Sequence, residues 1–218
     1  MNQATTDQPI NAGFLGGPPQ VFDHVGREQL AVLLDFGLIP TSTVCDFGCG
    51  CLRGGKWIIP LIDEGNYCGI EPMEHMVQRG IDEFLTPQMN ELKKPRFSHN
   101  DQFDCAPFAP TKFSHFIARS VWTHACKRQI AQMLDSVARF GTEDCAFLTS
   151  YRPARPFRNE DYTGDTWVGR SHESADPGMI RHSLAAIRQL CAQRGLKAEN
   201  VRSRKVVNGQ PWCLVTRA

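Results

Sequence analysis

The sequence predicts an α/β fold: a doubly wound, mostly parallel seven-stranded sheet with an antiparallel last strand and helices on both faces. Three observations carry that expectation. Strand-like and helix-like stretches alternate from Ser42 onward, and alternation argues for a parallel sheet covered by helices on both sides. The first strand-like stretch breaks into the turn Gly48-Cys49-Gly50 and then into a helix-like run; a doubly wound sheet binds its ligands at such a carboxyl end. The chain closes on two strand-like stretches, 197–205 and 210–218, joined by Asn208-Gly209. That dipeptide is the strongest short hairpin signal, and a hairpin turns the last strand antiparallel.

Residues 1–20 are polar and rich in Gly and Pro, and are expected to be mobile. Phe22–Ile39 carries Val25, Leu30, Val32, Leu33 and Leu38 at helical spacing before Pro40 interrupts it. Strand-like stretches follow at 42–48, 66–71, 96–100, 113–120 and 145–151. Helices are expected at 53–62, at 73–85 with Met73, Met76, Val77, Ile81 and Phe84 on one face, at 127–141 and at 179–196. Gly141 and Gly195 read as C-terminal stops for the last two. Residues 1–40 are thus expected to be an N-terminal extension with a lid helix (Phe22, His24 and Gln29 toward the ligand), and 41–218 the main domain. Within that domain, 151–178 is a long polar insertion with aromatics, and loops of that length are usually functional or disordered. No internal repeat is visible.

The chain has 218 residues, 41% hydrophobic and 22% charged, enough for one packed domain. Lys+Arg 24 against Asp+Glu 23 leaves it near neutral, so charge gives no global argument for nucleic acid or an anionic membrane as partner. No apolar run approaches the roughly 20 residues of a membrane span. The first 20 residues lack the basic and apolar regions of a signal peptide. A cytoplasmic protein is expected. The nine cysteines are scattered and read as small apolar residues. Cys49 and Cys51 are too close for a C-x-x-C pair and lack the second ligand pair a zinc site needs, so no metal is expected.

The chemistry concentrates in Thr43–Pro72. Glycines after the first strand let the backbone turn tightly and approach a ligand. Glu71, at the end of the second strand and 21 residues after Gly50, is placed to accept hydrogen bonds from ribose hydroxyls. Three ligand readings compete. A P-loop needs G-x-x-x-x-G-K-[ST], whereas Lys56 is followed by Trp57. A dinucleotide turn needs G-x-G-x-x-G, and Arg53 stands in the third glycine's place. S-adenosylmethionine has no pyrophosphate, and its ammonium and sulfonium suit Asp46, just before the glycines.

"VCDFGCGCLRGG" resembles the nucleotide-binding motif of class I S-adenosylmethionine-dependent methyltransferases, and "YCGIEP" resembles their ribose-binding motif. "FSHNDQFD" and "FSHFIARSVWTH" fall where that family has its third and fourth motifs, so the resemblance spans residues 43–150. It implies that Asp46, Gly48, Cys49 and Gly50 line the methionine end of the cofactor and that Glu71 holds the ribose. It further implies that Pro72 and Met73 border the adenine, with Asn100, Asp101 and Phe103 beside it. Ser120 would lie near the transferred methyl group, as a cofactor contact and a catalytic candidate.

His124 and Trp122 follow the fourth strand, where an acceptor would lie, and His124 would take a proton from a hydroxyl or amine. In the insertion, Arg152, Tyr162, Trp167 and His172 would bind an anionic or planar substrate. The same stretch also fits a solvated loop or an oligomer contact, and a homodimer is kept as an expectation. The resulting functional reading is methyl transfer to an oxygen or nitrogen of a small-molecule or glycan-type metabolite. A methyltransferase of RNA or protein, and a non-catalytic S-adenosylmethionine-binding protein, remain as alternatives.

Overall fold

The computed structural model describes residues 21–155, 157–202 and 209–218. The expected mobility of residues 1–20, and the Asn208 half of the hairpin signal, lie outside the described residues. The sheet has seven strands: β1 (Val44–Phe47), β2 (Tyr67–Ile70), β3 (Arg96–Ser98), β4 (Phe113–Ala118), β5 (Gly141–Ser150), β6 (Leu196–Asn200) and β7 (Trp212–Arg217). Their order is β3-β2-β1-β4-β5-β7-β6. The first five are parallel, and β7 enters antiparallel to both β5 and β6. Every residue of β1 and β2 is buried, as expected for strands covered on both faces.

Phe47 supplies much of the reason the sheet holds. Its ring stacks on Phe116 at 5.6 Å and meets Phe103 and Phe147 edge-on at 6.1 and 5.7 Å. Such aromatic pairs add to simple area burial. Helix α5 (Lys127–Phe140) covers this side with Ile130, Met133, Leu134 and Val137 on one buried stripe. On the other side, α1 (Phe22–Asp35) contributes Val32 and Leu33 to the second core beside Val44 and Ile58. Helix α1 ends as Gly37 turns left-handed (φ +87) and Leu38 N–H donates to Leu33 O at 3.0 Å.

Several boundaries differ from those expected, each for a local reason. Helix α2 is only Gly55–Ile58, because Pro60 has no N–H with which to continue it. Helix α3 (Glu74–Phe84) matches its pattern, and α4 (Pro87–Lys93) was not expected. Its signal was present in Thr86-Pro87: the Thr86 hydroxyl accepts from Met89 N–H at 3.1 Å and proline sits in the first turn. Helix α6 is Leu184–Ala192 rather than 179–196. Ser183 caps it by accepting from Ala186 N–H, while Ile180 and His182 N–H groups donate to Thr123 O and Arg152 O instead. Gly195 does follow the helix in a left-handed conformation.

Gly141 has φ −70 and is the first residue of β5. Space rather than φ requires glycine there, since a Cβ would stand 2.5 Å from Cys145 Sγ and 2.6 Å from Val137 O. Val201 N–H donates to Trp212 O, so the pairing of the two closing strands extends to Val201; the expected strand end 203–205 lies outside the described residues.

Candidate active site

The strand order reverses between β1 and β4, and a cleft opens beyond their carboxyl ends, the usual ligand position in such sheets. Its floor is the loop Gly48–Gly54. Gly48 (φ +67) and Gly50 (φ +53) both turn left-handed, which glycine does at little cost. A Cβ on Gly50 would meet no protein atom within 4 Å, so the loop presents bare backbone to open space. A Cβ on Gly48 would strike Val121 Cγ2 at 2.7 Å. The loop is tied to β2 by Gly48 N–H donating to Ile70 O at 2.8 Å. Leu52, Phe103 and Ser120, all on or beside the cleft, also have positive φ, and backbone strain in non-glycine residues gathers at functional sites.

Glu71 forms the next wall. One carboxylate oxygen accepts from Gly50 N–H and the other from Met73 N–H, each at 3.1 Å. Burial pushes its pKa up, and the two amides pull against that. The carboxylate is thus held in place by backbone, and it stands on the cleft wall with Pro72 and Met73. A carboxylate can accept more than one hydrogen bond per oxygen, so this wall fits a ligand that offers hydroxyl donors. Asp46 lies behind the loop, buried, and accepts from Tyr67 O–H at 2.7 Å. Burial pushes its carboxyl up to about 7 against the opposing effects of Tyr67 and Arg53. Cys49 and Cys51 line the cleft as thiols, their pKa values raised by burial, Cys51 to about 11.

A buried polar network underlies the far wall. Arg119, just past β4, pairs with Glu28 of α1 at 3.2 Å, donates to Ser150 Oγ at 2.9 Å and also donates to Gln210. Trp212 N–H donates to the second Glu28 oxygen at 2.8 Å. Ser120 donates its hydroxyl to Gln210 Oε1 at 2.8 Å, and its N–H bonds Ser150 Oγ. The Ser120 proton is therefore committed to the network, and the residue lines the cleft through its remaining surface.

The insertion folds back over this end. His124 Nδ1 lies 2.7 Å from Val168 O, and Val168 N–H donates to His124 O in return. A carbonyl only accepts, so Nδ1 carries the proton and Nε2 is the basic nitrogen. Burial lowers the His124 pKa, which keeps the ring neutral at pH 7. Its ring stacks on Trp167 at 5.5 Å. Gly169 (φ +117) allows this closeness, because a Cβ there would stand 2.5 Å from His124 Nδ1.

The cleft thus brings together Gln29, Gly48, Cys49, Gly50, Glu71, Pro72, Met73, Phe103, Ser120, His124, Trp167 and His172 from the expected residues. The others stand elsewhere. Asn100 holds its own turn through Ser98, Gln102 and Asp104, and Asp101 is exposed and bonded to Gln102. Trp122 was expected beside the acceptor, but it is fully buried edge-on to Phe147, because its position follows the core face of the sheet. Arg152 contacts Met179, and Tyr162 bonds Thr166, both off the cleft wall. Arg53, Met76, Arg119 and Arg170 line the cleft as well. Helical spacing with Met73 gave a signal for Met76; none marked Arg170. Among the described residues, no cluster of His, Cys, Asp and Glu is arranged to hold a metal ion.

Solved structures share this fold. The magnesium protoporphyrin IX methyltransferase of Synechocystis, solved with S-adenosylhomocysteine bound, is 16% identical over 97% of this chain and 90% of that one, with a TM-score of 0.63. The fold is that of class I S-adenosylmethionine-dependent methyltransferases. The sugar N-methyltransferase KedS8 from Streptoalloteichus matches all of this chain and 99% of its own at 12% identity and a TM-score of 0.64. DesVI of Streptomyces venezuelae matches 97% of this chain and 100% of its own at 15% identity and 0.63. No protein-family model and no curated protein matches the sequence. The seven-stranded sheet with its inverted last strand, expected from the alternation and the closing pair, is therefore the methyltransferase-fold sheet.

Proposed function

We propose that this chain is an S-adenosylmethionine-dependent methyltransferase acting on an oxygen or nitrogen of a small-molecule or glycan-type metabolite. The observation that carries the reading is the pairing of the bare Gly48–Gly50 loop with the amide-held Glu71 carboxylate at the switch point of a methyltransferase-fold sheet. Two of these solved neighbours are methyltransferases, one of them a sugar N-methyltransferase.

In this reading Glu71 receives the ribose hydroxyls, Pro72, Met73 and Phe103 border the adenine, and the glycine loop lies along the methionine arm. Asp46 acts from behind the loop as the counter-charge to the cationic arm. When bound, the cofactor supplies an electrophilic methyl group, so the protein's task is to orient the acceptor and to remove its proton. His124 Nε2 does the latter, and Trp167 and His172 flank the acceptor. The neutral thiols of Cys49 and Cys51 are poor nucleophiles, which leaves the methyl group for the acceptor. Among the described residues no helix is long and apolar enough to cross a membrane; the cytoplasmic placement and a homodimer belong to this proposal.

Isothermal titration with S-adenosylhomocysteine, with NAD as control, tests the cofactor reading: the first is expected to bind and the second not. Glu71→Ala is expected to weaken binding by about 1.5–3 kcal/mol, the value of a hydrogen bond to a charged group. Unchanged affinity would remove Glu71 from the site. In a screen of hydroxyl- and amine-bearing metabolites, His124→Gln is expected to bind S-adenosylhomocysteine normally and to lose turnover by about 10²–10⁴-fold. Turnover of the unaltered protein should fall with pH as His124 protonates, at a value below 6.5. A fully active variant would make His124 structural. An RNA or protein acceptor, or no acceptor at all, would return the chain to the alternatives.

A further inference from the structure

The insertion brings Trp167, Arg170, Ser171 and His172 to the cleft wall, and no carboxylate. Three of its acids are engaged elsewhere. Glu160 is shared by Arg155 and Arg181, Asp161 pairs with Lys127 at 2.9 Å, and Glu173 accepts from Gln129 at 2.8 Å. Arg170 differs from Arg155 and Arg181: among the described residues its side chain has no ion pair and no hydrogen bond. The buried indole N–H of Trp167 has no acceptor there either. Arg170 is exposed, so water solvates its charge until a ligand fills the cleft. A guanidinium whose water is displaced needs an oxyanion in its place, and its fork matches a carboxylate or a phosphate with paired hydrogen bonds.

The backbone fixes where Arg170 stands. The residue before it, Gly169, is so close to His124 that an added Cβ would lie 2.5 Å from Nδ1. Two residues after it, His172 is a charged neighbour of the Glu71 carboxylate. The strap therefore crosses from the imidazole to the ribose wall, and Arg170 sits between them on the cleft side.

Charge points the same way. Among the described residues on the wall, Arg53, Arg119 and Arg170 face a single carboxylate, Glu71. Arg119 is held by Glu28. Arg53 lies at the glycine-loop end, with Arg119, Asp46 and Glu28 as its charged neighbours. Arg170 is the cation on the insertion side, beside the basic nitrogen. S-adenosylmethionine adds one net positive charge, because its carboxylate and ammonium cancel and the sulfonium remains. Such a cleft draws in an anionic acceptor and holds off a cationic one.

We propose that Arg170 is a specificity-determining residue that selects an acidic acceptor: its guanidinium receives a carboxylate or phosphate on the small molecule whose hydroxyl or amine faces His124 Nε2. The inference rests on the functional reading above and adds the charge of the substrate to it.

The test is methyl transfer from S-adenosylmethionine to matched acceptors by the unaltered full chain, Arg170→Gln and Arg170→Lys. The pairs are 4-hydroxybenzoate with 4-hydroxybenzamide, glucuronate with glucuronamide, and glucosamine 6-phosphate with glucosamine; the first two read a carboxylate and the third a phosphate. The unaltered protein should favour the acid of a pair by about ten- to a hundredfold in kcat/KM. Arg170→Gln should bring that ratio near one, chiefly through the KM of the acid, and Arg170→Lys should keep part of it. A preference for the neutral partners, or a ratio unchanged in Arg170→Gln, would overturn the assignment. So would a tenfold weaker calorimetric affinity of folded Arg170→Gln for S-adenosylhomocysteine, which would give the residue to the cofactor. Binding of S-adenosylhomocysteine by the unaltered protein with no methylation of any acid would overturn this inference and leave the cofactor reading standing. No binding of S-adenosylhomocysteine would overturn both.

Discussion

Replacing Glu28 by alanine is expected to cost about 3–5 kcal/mol of stability, the penalty for breaking a buried ion pair by removing one partner. The Glu28 carboxylate faces the Arg119 guanidinium and accepts from the Trp212 indole. Arg119 in turn reaches Ser150 and Gln210. The Arg119 side chain is only 2% exposed and that of Glu28 9%, so the intact pair is largely screened from water. One substitution therefore disturbs α1, the ends of β4 and β5, and the approach to β7. Urea denaturation measures the loss, and the double variant Glu28→Leu with Arg119→Met should regain much of it, since an apolar pair leaves no uncompensated charge. A loss of less than about 1 kcal/mol for Glu28→Ala would mean that the pair behaves as a solvent-screened one.

Asp46 makes stability depend on pH in an unusual direction. Its carboxyl is raised from 3.8 to about 7, chiefly by burial. Between those values the folded protein holds a proton that the unfolded chain has released, so stability falls as pH rises through that window. The shift of about 3 units corresponds to roughly 4 kcal/mol at its full extent. Asp46→Asn keeps an oxygen to accept from Tyr67 and removes the titration. The variant should therefore gain stability relative to the unaltered protein between pH 5 and pH 8, as measured by urea denaturation at both. A difference that does not change with pH would place the titration elsewhere. A cationic ligand bound beside the loop would favour the ionised form, so S-adenosylmethionine should bind with release of less than one proton near pH 7.

Much of the fold was legible because its signals are local. The strand-turn-helix at Cys45–Ile58, the acidic end of β2, the apolar stripe of α5 and the closing strands are each written in a few adjacent residues. The Thr86-Pro87 start of α4 is equally local. Within the site, the glycine loop and Glu71 could be placed from spacing because both sit on strand ends whose register a parallel sheet imposes. Asn100 illustrates the limit: its residue type suits an adenine contact, yet its amide is consumed by the turn it builds. Trp122 illustrates another, since a residue after a strand can face either the cleft or the core.

The architecture, the position of the glycine loop and the Glu71 carboxylate bonded to it are written in the sequence, because they follow from hydrophobic periodicity, glycine's backbone freedom and short capping motifs. Which nitrogen of His124 is basic, the engagement of Ser120's proton and the arrival of Trp167 and His172 from the insertion at the same cleft are set by tertiary contacts alone. Those properties depend on contacts between segments far apart in the chain: 44 residues separate His124 from Val168, and 184 separate Glu28 from Trp212. The pairing of such segments is set by how the whole core packs, and no local pattern encodes it.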